Sequence, residues 1–172
     1  MNKRKTVLYP FLSIFFIITI FNLILADFAI PFSSHYQEKI SQLLSQLQNE
    51  PHNGKIYNTI GFYFYKMEDY KNAVQYYLKA IELAPEYPLS YNNLGVVHLK
   101  MQQYESAEKC FRKAIELDPE YIKAVCNLGV TCFKMNNHAE AKKWYEIAQE
   151  LDPEYVNERK ALFLDTKHSE SQ

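Results

Sequence analysis

The chain has 172 residues, 48% of them hydrophobic, and a formal net charge of −1 at pH 7. That length suits one domain with an appendage, and the charge gives no overall pull toward nucleic acid. Residues 54–155 hold 12 Lys and Arg against 14 Asp and Glu, a net −2, whereas a nucleic-acid reader is basic there.

The chain opens with a short cationic stretch, residues 1–6, containing Lys3, Arg4 and Lys5. Residues 7–26 then run for 20 positions without a charge, and 14 of them are Leu, Ile, Phe or Val. At about 1.5 Å per residue such a helix reaches roughly 30 Å, the hydrocarbon thickness of a bilayer. At about −0.3 to −0.6 kcal/mol for each apolar residue, insertion gains roughly 4–8 kcal/mol before the costs of Asn22, Ser13 and Pro10. The segment reads as a transmembrane signal-anchor. A signal peptide cut after Ala26 is the competing reading, and the run is longer than the usual apolar core of such peptides. The positive-inside rule keeps residues 1–6 on the cytoplasmic or stromal side and sends the rest across.

Residues 27–53 form a linker followed by an amphipathic helix, with Ile40, Leu43, Leu44 and Leu47 on one face. Tyr36 and Pro51 lie 34 positions before Tyr70 and Pro85, so this helix is expected to act as an N-terminal cap on the helices after it.

From residue 54 a single pattern repeats every 34 residues. Gly61, Gly95 and Gly129 are in register, as are Ala73, Ala107 and Ala141, Ala80, Ala114 and Ala148, and Pro85, Pro119 and Pro153. Within each unit apolar residues recur three and four apart over two helices, parted by a short polar turn near 68–69, 102–103 and 136–137. Proline stops the second helix. Small residues at the shared positions let two backbones approach closely. The spacing therefore predicts an all-α stack of three helical hairpins, over 54–87, 88–121 and 122–155. Residues 156–172 are expected to supply a C-terminal capping helix and a polar tail.

The residues Tyr91-Asn-Asn-Leu-Gly95, Tyr104-x-x-Ala107, Phe111-x-x-Ala114 and Leu117-Asp-Pro119 resemble the tetratricopeptide repeat, with matching positions in the first and third units. The third unit departs from the family at Val125, Cys132 and His138, which implies looser packing there. The resemblance implies a superhelix whose first helices line a concave groove for a protein partner. In this chain that stripe reads Lys55, Asn58, Phe62, Tyr65 and Lys66, then Leu89, Asn92, Val96, Leu99 and Lys100, then Lys123, Cys126, Val130, Phe133 and Lys134. It is an apolar floor edged by lysines, suited to a segment with apolar anchors and acidic groups. The chaperone-tail clamp of some relatives is not expected. Asn93 and Lys123 fit it, but Asn58 and Asn127 stand where it needs basic side chains.

An enzyme is not expected, nor a metal or a cofactor. The five histidines lie far apart, and the chain has only four glycines and no phosphate-binding loop. The whole layout, one membrane anchor and three repeats, resembles the membrane-anchored photosystem I assembly proteins of cyanobacteria and plastids. Lysine outnumbers arginine 16 to 3, a coding bias of the kind AT-rich plastid genomes show. That resemblance implies a thylakoid membrane protein that binds a subunit or assembly intermediate of photosystem I. The alternative is a bacterial envelope adaptor in secretion or pilus assembly.

Overall fold

The computed structural model describes residues 34–158. The expected membrane segment over residues 7–26, the cationic residues 1–6 and the polar tail lie outside the described residues. Among the described residues no helix is long and apolar enough to cross a membrane.

The described chain is all helix and turn. A first helix, α1, covers residues 34–47. Three antiparallel hairpins come next: α2 (Gly54–Lys66) with α3 (Tyr70–Leu83), α4 (Pro88–Lys100) with α5 (Tyr104–Leu117), and α6 (Ile122–Lys134) with α7 (His138–Leu151). A short helix, α8 (Pro153–Glu158), closes the series.

Local chemistry sets these boundaries. Asn53 caps α2, its side chain accepting from the Lys55 and Ile56 amides. Asp69 accepts from Asn72 N, and Asn137 accepts from Glu140 N, capping α3 and α7. Helix α4 starts instead at Pro88, whose missing N–H is harmless in a first turn. Each first helix ends in the same way. The amides of Glu68, Gln102 and Asn136 donate to Tyr65, Leu99 and Phe133, and the next amides, of Asp69, Gln103 and Asn137, reach back to Phe64, His98 and Cys132. This is the Schellman pattern, and it requires a left-handed residue. Glu68, Gln102 and Asn136 all take it, each at φ 60°, though none is glycine.

The hairpins close around buried aromatics. Tyr77 and Phe111 are 1% and 0% exposed, and each faces a glycine of its partner helix. Burying each such ring contributes about 2–3 kcal/mol. The core is shared between units. Ala73 and Tyr77 of α3 pack with Leu94 and Val97 of α4. Ala107 and Phe111 of α5 pack with Leu128 and Cys132 of α6 and Ala141 of α7. Val125 and Cys126 meet Ala148 and Val156 at the end of the stack. Ile40 of α1 covers Ile56 and Ile60 at its start. Each unit thus completes its core with its neighbour, which is the energetic logic of a solenoid. Val125 and Cys132, smaller than the family prefers, are still fully enclosed at 0% and 2% exposure.

Candidate functional site: the inner helix face

Helices α2, α4 and α6 approach one another directly, more closely than α3, α5 and α7 do. The first helices therefore form the tighter, inner layer, and the second helices fan outward.

The expected stripe divides by depth along this layer. Lys55, Phe62, Lys66, Lys100, Lys123 and Lys134 are exposed, with Phe62 at 43%. Tyr65, Val96, Leu99, Val130 and Phe133 are half-buried. Tyr65 leans on the Tyr77 cluster, and Val96, Leu99 and Phe133 lean on the Phe111 cluster, so each shows only part of its surface. Asn58 and Asn92 are 6% and 5% exposed and form part of the floor. Cys126 does not share the groove stripe, being buried against α7 and α8.

The floor holds a feature that the periodicity does not reveal. Asn93 Nδ2 donates to Asn58 Oδ1 at 3.1 Å, Asn92 Nδ2 donates to Asn93 Oδ1 at 3.4 Å, and Asn127 Nδ2 donates to Asn92 Oδ1 at 2.9 Å. Four amides from three helices thus form one chain across the inner layer. Buried amides need partners, and here each helix supplies the next. The signal was two pairs of asparagines 35 apart, Asn58 with Asn93 and Asn92 with Asn127, one more than the repeat, which places them on facing flanks of adjacent helices.

Charge is segregated between the layers. Helices α2, α4 and α6 carry five lysines and no Asp or Glu. All 14 acidic residues of 54–155 lie in the outer helices, in α8 or in the turns. None of the ion pairs among the described residues uses an inner-layer lysine. Lys66 Nζ lies over the Phe62 ring at 5.9 Å and Lys55 Nζ over Tyr87 at 5.7 Å.

The outer layer pairs its own charges. Arg112 of α5 bonds Glu108 at 2.8 Å, reaches Glu140 of α7, and lies 5.7 Å from the Trp144 ring centre. The hydrogen bond from Arg112 holds the Glu140 carboxyl below its ordinary pKa. Burial pushes the thiols of Cys110 and Cys132 up to about 11, which leaves them protonated and unreactive near neutrality. Among the described residues no three His, Cys, Asp or Glu side chains gather as a metal site.

The tetratricopeptide repeat model matches residues 88–121 and 122–155, and the TPR repeat model matches residues 61–102. This chain belongs to the tetratricopeptide repeat family. Solved structures agree. The first TPR of Spaghetti (RPAP3), bound to the HSP90 peptide SRMEEVD, is 25% identical with a TM-score of 0.61, over 66% of this chain and 93% of that one. The Sgt2 TPR domain from Aspergillus fumigatus is 27% identical with a TM-score of 0.57, over 59% of this chain and 67% of that one. MamA shares the fold at 21% identity and a TM-score of 0.63, over 71% of this chain and 67% of that one. No curated protein matches the chain. As a tetratricopeptide repeat protein it is a protein-interaction scaffold and not an enzyme.

Proposed function

We propose that this scaffold is anchored in a membrane by residues 7–26 and holds a subunit or assembly intermediate of a membrane complex in its inner helix face. Photosystem I in a plastid or cyanobacterial thylakoid is the complex that fits the layout best. The observation that carries the reading is the joining of two surfaces in one short chain. A 20-residue uncharged run follows Lys3, Arg4 and Lys5, and three hairpins with an acid-free inner layer come after it. A run of that length and composition favours insertion in the bilayer. Helix α1 is already present at residue 34, a short distance beyond the run, which would keep the repeats beside the bilayer and beside membrane-embedded clients.

The RPAP3 domain binds an HSP90 peptide, but the clamp that holds the terminal carboxylate of a chaperone tail is incomplete on this face. Asn58 and Asn127, where a chaperone-tail clamp needs basic groups, are amides hydrogen-bonded to Asn93 and Asn92.

The test is mild-detergent purification of the tagged full chain from native membranes, with the bound proteins identified. Photosystem I subunits are the expected companions. Recovery of secretion or pilus components in their place would overturn the assignment in favour of an envelope adaptor.

A further inference from the structure

The five inner-layer lysines are not equivalent, and their surroundings give the face a direction. On the first hairpin Lys66 is followed by Glu68 and Asp69, so its charge is offset locally, and its ammonium already rests on Phe62. The corresponding turns of the second and third hairpins are Gln102-Gln103 and Asn136-Asn137, which carry no charge. Lys100 and Lys134 therefore stand on one rim, exposed, without an acid in the adjoining turn and outside every ion pair among the described residues. The first hairpin in turn presents the most open apolar side chain of the layer, Phe62 at 43% exposure.

We propose that the inner face takes an extended acidic protein segment in a fixed placement, with an apolar side chain beside Phe62 and carboxylates over Lys100 and Lys134. The proposal rests on the reading of this face as the partner site and adds the chemistry and orientation of the occupant. Charge complementarity selects it, since an acid-free layer within a net-negative repeat region repels basic segments and attracts acidic ones. Packed helices lie about 8–10 Å apart, so the step from α2 to α4 and α6 spans about 10–20 Å. At roughly 3.3–3.6 Å per extended residue, the carboxylates are separated from the apolar residue by about three to six positions.

The experiment uses the full chain in detergent micelles and fluorescent synthetic peptides, with anisotropy as the readout at low salt. One peptide carries a phenylalanine with glutamates about three and six positions away, in either chain direction. A second has glutamines for the glutamates, and a third has alanine for the phenylalanine. Lys100→Glu with Lys134→Glu is expected to weaken the acidic peptide about tenfold or more and to leave the glutamine peptide unchanged, whereas Lys55→Glu with Lys123→Glu costs less than about threefold. Phe62→Ala should matter for the phenylalanine peptide and not for its alanine version, a coupling that a folding defect cannot mimic. Binding of the parent should also fall as salt rises, which needs no variant. Equal effects of the two lysine pairs, equal binding of the glutamine peptide, or no peptide binding would each overturn the proposal. So would equal competition by a single-stranded oligonucleotide of the same charge. If the native subunit is still captured by Lys100→Glu with Lys134→Glu, this orientation fails and the scaffold reading stands. If the peptide preferences hold while no photosystem subunit is captured, only the assigned complex fails.

Discussion

Replacing Gly95 by alanine tests the hairpin packing at its tightest point. A Cβ built there stands 2.6 Å from Cε1 of Phe111 and 2.9 Å from Cδ1 and Cζ. The ring cannot step aside cheaply, because Phe111 is 0% exposed and held in a cluster with Ala107, Leu128 and Cys132. Overpacking of this kind costs about 1–3 kcal/mol. Alanine returns about 0.5–1 kcal/mol, because glycine is a poor interior helix residue. The net expectation is a loss of about 1–2 kcal/mol, the difference between these two effects. Gly61→Ala should cost less, since the nearest atoms of Tyr77 are 2.9 Å away. Urea titrations of a fragment spanning residues 34–158, followed by far-ultraviolet circular dichroism, measure both. Phe111→Leu should relieve part of the Gly95→Ala loss, so the double variant should lose less than the sum of the single ones. If Gly95→Ala is as stable as the parent, the close approach of α4 and α5 is wrong.

Other substitutions probe separate parts of the account. Glu68→Gly and Gln102→Gly should each raise stability, by up to about 1 kcal/mol, because they relieve left-handed backbone at φ 60°. Asn136→Gly should gain less, since asparagine tolerates that region, and the same urea titrations rank the three. Ser90→Ala should stabilise by about 1 kcal/mol, because its fully buried Oγ has no hydrogen-bond partner among the described residues. Cys110 and Cys132 should resist iodoacetamide at pH 8 in the folded protein and react on unfolding, since burial lifts both thiols to about 11. Mass spectrometry of the alkylated chain reads this directly, and fast labelling of folded Cys132 would contradict its enclosure.

The hairpins were legible in the sequence because their determinants are local and periodic. Gly61, Gly95, Ala73 and Ala107 recur at the helix contacts, and Pro85 and Pro119 follow the second helices. The inner layer was legible as a stripe, but its depth was not. Asn58 and Asn92 lie on that face yet are nearly closed off, because Asn93 and Asn127 reach them from the next helix. A helical period read along one helix contains no such information. The Arg112, Glu140 and Trp144 cluster escaped for the same reason, joining two outer helices across 28 residues. The left-handed turn residues were hidden because Glu68 and Gln102 are not residue types that announce that conformation.

The central claim, that the inner layer holds the partner, is tested most directly by photocrosslinking in native membranes. A benzophenone analogue of phenylalanine placed at position 62 samples the inner face, and one at position 78 samples the outer face, where Leu78 is 52% exposed. The account predicts a crosslinked membrane-complex subunit from position 62 and none from position 78. Crosslinks to that subunit from position 78 alone would move the binding site to the outer helices and contradict the account.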